Sequence, residues 1–111
     1  MKDINIGYAG KQAPEAPIHA AIARLGAGDP LRLRAVAYGW ELADAAGATV
    51  GRLARHYVAP AGMRCRGATV QAVHVRRHDD GDAAFNAALR CEQWEVVLPE
   101  LVFEPVALAV A

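Results

Sequence analysis

The sequence predicts a mainly β fold, a small SH3-like or OB-like barrel or strongly bent sheet with one flanking N-terminal helix. Three observations predict it. Several stretches alternate apolar and polar residues with period two, turn-forming residues punctuate them at short intervals, and only one stretch shows a helical stripe. About five strands in roughly 75 residues with tight turns match a small barrel or curled sheet better than a helix bundle. At 111 residues, one domain is expected over residues 14–111. Of the apolar residues 25 are alanine, so the core will be small.

The first twelve residues are polar, glycine-bearing and aperiodic, and Pro14 and Pro17 follow, so residues 1–13 read as a flexible leader. From Pro17 to Leu25 the residues Ile18, Ile22 and Leu25 recur at i, i+4 and i+7, and Gly26 stands where a helix stops. After the turn-like GAGDP, Leu31, Leu33 and Ala35 alternate with Arg32, Arg34 and Val36 as in a half-buried strand. Gly39 leads into Trp40, Glu41 and Leu42, Asp44 to Gly47 reads as a turn, and Thr49 to Leu53 resumes the pattern.

His56 to Gly62 carries Pro60 and Gly62 and reads as a loop. Cys65 to His78 is the longest candidate strand, with Val73 and Val75 on one face and Ala72, His74, Arg76 and His78 on the other. The acidic run HDDGD predicts a turn, and residues 83–91 a short helix or ordered loop. Trp94 to Phe103 is the last clear strand, and Pro99 inside it demands a bend or an edge position. VALAVA reads as a further strand or a frayed tail.

The formal net charge is zero, but its distribution is uneven. Residues 31–78 hold eight arginines against Glu41 and Asp44, a sum of +6, while residues 79–111 hold Arg90 against seven acids, a sum of −6. Two outcomes are open: a polar field that attracts a polyanion, or strands that interleave so that the charges mix. No apolar run approaches the roughly 18 to 20 residues that span a bilayer, and the N-terminus lacks a secretion pattern, so a soluble cytoplasmic protein is expected. Cys65 and Cys91 are then expected as reduced thiols.

No catalytic constellation stands out. Neither cysteine sits in a nucleophile-elbow sequence, and the glycines of GYAG and GAG lack the GxxxxGK[ST] or GxGxxG context of a phosphate loop. His74 and His78 share a strand face about 13 Å apart at ~3.3 Å per residue, too far to share one ion, so neither metal nor cofactor is expected. Nucleic-acid binding asks for cations along a surface with aromatic or glycine gaps. Arg52, Arg55 and Tyr57, with Arg64 and Arg66 beyond the loop, supply that pattern: the arginines for phosphates and Tyr57 for stacking. A plain solvated β face accounts for the same arginines, and Trp40 and Trp94 read as core anchors.

At GDPLRLR, WELADAAGATVGRLAR, PAGMRC and WEVVLPELVFEP the sequence resembles the C-terminal accessory segment of large bacterial RecQ-type ATP-dependent helicases. The run from Gly28 through Leu53, with Asp44 to Gly47 and the V-G-R-L of Val50 to Leu53, resembles more loosely the HIRAN domain, a small barrel found beside helicase modules. The matched pieces cover roughly residues 26–105. The resemblance implies a noncatalytic DNA-binding appendage of a helicase or repair system, and Walker motifs are missing. The alternative is a protein-interaction module in which the acidic region from Glu92 to Glu104 adds a strand to a partner through Val96, Val97, Leu101 and Val102.

Overall fold

The computed structural model describes residues 3–78 and 87–106. Helix α1 (Pro17–Ala23) is followed by five strands, β1 (Pro30–Val36), β2 (Gly39–Ala43), β3 (Thr49–Arg52), β4 (Met63–Arg77) and β5 (Gln93–Pro105). They form one antiparallel sheet in the order β3-β2-β1-β4-β5. The mainly β expectation therefore holds, and the curled sheet is barrel-like without being closed by strand pairing among the described residues. Among the described residues no helix is long and apolar enough to cross a membrane.

Local chemistry sets each element. Pro17 opens α1 at a position where no N–H is needed, and Ile18, Ala21 and Ile22 turn inward. The helix ends at Ala23, short of Leu25, because the following GAGDP closes on itself: Asp29 accepts the Gly26 N–H at 2.8 Å and Gly28 adopts a positive φ of 90°. Between β2 and β3 the Asp44 carboxylate accepts the N–H groups of Ala46 and Ala48 at 3.0 and 2.8 Å, with Gly47 in the left-handed region beside it.

Strand β4 carries two β-bulges. Its pairing with β5 slips at Arg66, between the pairs Cys65↔Phe103 and Gly67↔Val102, and at Gln71, between Val70↔Pro99 and Ala72↔Leu98. Each extra residue bends the strand and increases its twist, which curls the sheet. The second bulge also accommodates Pro99. Val70 points its N–H and C=O away from β5, to Asp29 and Gly28 at 2.9 and 2.8 Å, so Pro99 opposite it has no ladder bond to lose.

The core lies inside the curl, where Ile22, Leu42, Val50, Val70 and Val97 are fully buried. Strands β3 and β5 face each other across it. The stretch expected as a leader, residues 3–13, packs there instead. Ile4 bridges Leu53, the Asn5 N–H bonds the Arg52 carbonyl at 2.9 Å, and a 3-10 turn over Ala9–Lys11 buries Ala9 and Gly10. The segment looks polar and aperiodic in sequence because it forms neither helix nor regular strand. Its few apolar residues are enough to dock it. Gly10 makes this possible: its carbonyl accepts the N–H groups of Arg90 and Cys91, and its Cα lies against the indole of Trp94, whose Nε1–H bonds the Ile6 carbonyl at 2.8 Å. Trp94 is the expected core anchor, whereas Trp40 is half-buried at the core's margin. Residues 79–82 of the HDDGD turn, residues 83–86 of the 83–91 stretch and all but the first residue of VALAVA lie outside the described residues, and residues 87–91 form a turn and loop.

Candidate functional site

The basic residues do not form one patch. Strand β4, rich in arginine, pairs along its whole length with acidic β5, and the register sets one of its arginines, Arg64, opposite an acid. Arg64 lies opposite Glu104 and is neutralised by it, with Nε and Nη2 each 2.7 Å from the same carboxylate oxygen. Arg34 is tied to Glu41 at 2.7 Å, the Gly47 carbonyl at 3.0 Å and the Thr49 hydroxyl at 3.1 Å. Arg52 is half-buried, its guanidinium 5.5 Å from the centre of the Tyr8 ring.

Two of the remaining arginines, Arg32 and Arg66, lie where the sheet splits. Strands β1 and β4 pair only at Pro30↔Thr69 and Leu31↔Ala68; the Arg66 bulge then turns β4 away. The fork between them is a cleft of about 360 Å³ lined by Leu31 to Arg34 and Cys65 to Ala68. It holds Arg32, Arg34 and Arg66. Arg32 and Arg66 are exposed, and neither makes an ion pair or side-chain hydrogen bond with another described residue. Gly67 leaves open space where a Cβ would stand, so an incoming chain has access to the main chain there. Of the predicted residues, Arg66 belongs to this fork, while Arg32 and Arg34 were missed. The signal lay in the R-L-R alternation of β1, which reads equally well as the wet face of any strand.

Arg55 stands exposed in the turn after β3, and Tyr57 follows it with its ring against the core. The Tyr57 hydroxyl is buried without a hydrogen-bond partner. Burial raises its pKa above the ordinary 10.0, and the nearby Cys65 thiol and Asp3 carboxylate add to the shift. A groove of about 470 Å³ runs beside the ring, between the loop after β3 and the Pro99 to Phe103 part of β5. Cys65 thus links two places: it lines the fork and lies close enough to Tyr57 to influence its ionisation.

The fold also brings a cysteine beside a histidine. Cys91 Sγ lies 3.7 Å from His19 Nε2, a pairing 72 positions apart that no local motif signals. Both atoms are engaged elsewhere, the thiol with the Gln12 carbonyl at 3.3 Å and the imidazole nitrogen with the Ala13 carbonyl at 2.9 Å. Burial raises the thiol pKa and outweighs the lowering influence of Arg90, so the proton stays on sulfur. The pair clips α1 and the segment just before β5 to residues 12–13. Both cysteines are free, and among the described residues no three metal-ligating side chains converge.

The edge strand β5 can be judged for strand addition. Because Pro99 faces away from β4, alternation turns Leu101, Phe103 and Pro105 outward as well, and two of these four positions lack an N–H. Val96 and Val97 are buried. No family model, curated protein or solved structure matches this chain.

Proposed function

We propose that the chain is a noncatalytic domain that binds nucleic acid, with the phosphates held at the fork by Arg32 and Arg66 and met beyond it by Arg55. The observation that carries this reading is the pair of exposed arginines, without an ion pair among the described residues, at the mouth of a cleft whose Gly67 leaves the main chain open. Arginine suits the task because its planar fork of donors matches phosphate geometry. The likeness of the sequence to the accessory segment of bacterial RecQ-type helicases supports placing the domain in the cytoplasm, beside a DNA-unwinding or repair motor. The sequence of the full-length parent or its genomic neighbours would test that placement.

The binding itself is tested by titrating labelled DNA across a salt series. Each phosphate neutralised on a single strand contributes about 0.7 to the slope of log affinity against log salt. Replacing both Arg32 and Arg66 with alanine should flatten the slope by about 1.4, with weaker binding throughout. No DNA affinity at low salt would sink the proposal. Strand addition at β5 is the second reading, supported by its edge position and weakened by the two outward prolines. It predicts a partner protein whose binding survives the loss of both fork arginines.

A further inference from the structure

The fork exposes main-chain groups as well as arginines. The groups of a strand point alternately to its two sides, and the register fixes which side each takes. The Trp40 carbonyl accepts the Leu53 N–H at 3.0 Å, so Trp40 and Leu42 turn their main-chain groups toward β3. Ala35 and Leu33, which face them across the β1–β2 ladder, therefore turn theirs away from β2. The other flank agrees, since the Val70 N–H reaches the Asp29 carbonyl at 2.9 Å, and Leu31, Leu33 and Ala35 follow Asp29 at every second position. Strand β4 meets β1 only at Thr69 and Ala68, and the register carried on would set Leu33 opposite Arg66, the extra residue of the bulge. The N–H and C=O groups of Leu33 and Ala35 thus stand on the fork side of β1 without a ladder partner.

Such an edge is a template for a further strand, and its side chains select which strand. Leu31 and Leu33 pack on the core, while Arg32 and Arg34 alternate with them on the other face. An antiparallel chain that exchanges hydrogen bonds with Leu33 and Ala35 places those of its residues on the core-side face, and the residues between them beside Arg32 and Arg34. The first set is suited to apolar side chains and the second to acids. Arg34 already has Glu41, but Arg32 faces Ala43, and Arg66 lines the opposite wall of the cleft with no acid among the described residues. A basic strand would be repelled by these two cations. The backbone of a DNA strand brings phosphate acceptors for the two N–H groups and no donor for the two carbonyls, whereas a peptide brings both.

We infer that the fork edge of β1 accepts, as an added strand, an extended segment of a partner protein in which apolar and acidic residues alternate, and that this segment and nucleic acid exclude each other from the cleft. The strand pairing stands apart from the nucleic-acid reading, and only the exclusion rests on it. It differs from strand addition at β5 in needing the fork arginines.

The test titrates the full chain with three labelled, capped peptides: one alternating valine and glutamate, the same peptide N-methylated at its valines, and the same peptide N-methylated at its glutamates. The valine N–H groups are the ones that face β1, so methylation there should weaken binding at least about tenfold relative to methylation at glutamate, from the loss of main-chain hydrogen bonds at equal charge and equal methyl count. Ala35→Pro should weaken the unmodified peptide similarly, because it removes an N–H that lies outside the ladder with β2 and leaves that ladder intact. Joint replacement of Arg32 and Arg66 by alanine should weaken it too. Equal affinity for the two methylated peptides overturns the strand pairing and reduces the attraction to charge, and no binding of the unmodified peptide at low salt overturns it outright. Displacement of bound oligothymidylate by the unmodified peptide supports the exclusion, and a complex holding both overturns it. If the peptides behave as expected while no DNA binds, the nucleic-acid reading falls and the strand pairing stands.

Discussion

Replacing Gly10 with alanine tests the docking of the N-terminal stretch on the sheet. A Cβ at this position would lie 2.7 Å from two atoms of the Trp94 indole, Cδ2 and Cε2, and 3.0 Å from Leu89 Cδ2. Nothing nearby yields easily. Trp94 is only 2% exposed and its Nε1–H is held by the Ile6 carbonyl, while the Gly10 carbonyl holds the N–H groups of Arg90 and Cys91. Forcing a methyl into a packed core costs about 1–3 kcal/mol. Displacing the indole from its hydrogen bond adds about 1 kcal/mol, and the stiffer unfolded chain of alanine returns about 0.4–1 kcal/mol. A net loss of about 1–3.6 kcal/mol is expected, read from the urea midpoint with the slope unchanged. Gly67→Ala is the control, since its Cβ meets nothing within 4 Å, and it should stay within about 0.5 kcal/mol of the parent. If Gly10→Ala proves equally mild, residues 3–13 do not rest on Trp94 and the account of how the curl is closed is wrong.

Three further outcomes follow from the geometry. Arg64 already has its counter-charge in Glu104, so Arg64→Ala should change the salt dependence of DNA binding less than Arg66→Ala, whereas Glu104→Gln frees a cation and should tighten binding. Asp44→Ala removes the acceptor of two main-chain N–H groups in the β2–β3 turn and should cost about 1–2 kcal/mol in chemical denaturation. Alkaline pH should destabilise the fold. Cys91 and Tyr57 both have pKa values raised by burial, so the folded chain keeps protons that the unfolded chain releases, and stability falls as pH rises through the ordinary values of 9.0 and 10.0. The onset near pH 9 should soften in Cys91→Ala when urea midpoints are followed across pH.

The strands were legible where one face is buried and the other wet. Leu31 and Leu33 against Arg32 and Arg34 announce β1, and Gly39 and Asp44 to Gly47 mark the turns around β2, because period two and turn chemistry are local properties. The bulges were not legible. Nothing in M-R-C-R-G says that Arg66 will be an extra residue, since a bulge exists only relative to the strand opposite. The fork inherits that difficulty: Arg32 and Arg66 are 34 positions apart, and the bend that brings them to one cleft is set by pairing with β5. Cys91 beside His19 is hidden for the same reason. Composition misled most at the N-terminus, where Gly10 matters for the methyl it lacks.

The charge segregation in the sequence is best understood as a pairing code that leaves a remainder. The one opposite-charge pair of the β4–β5 ladder, Arg64 facing Glu104, favours their antiparallel register. Three of the eight arginines of the +6 segment are occupied in supporting the sheet: Arg64 through Glu104, Arg34 through Glu41 and the β2–β3 turn, Arg52 through Tyr8. The arginines that escape this work are the informative ones. Arg32 sits on β1 just past its last pair with β4 and faces Ala43 on β2, and Arg66 is the extra residue of the bulge, so neither has a cross-strand acid. The binding site proposed here is thus a consequence of where β4 bulges, and a change that straightens β4, such as deletion of Arg66, should close the fork and abolish DNA binding even though only one charge is lost.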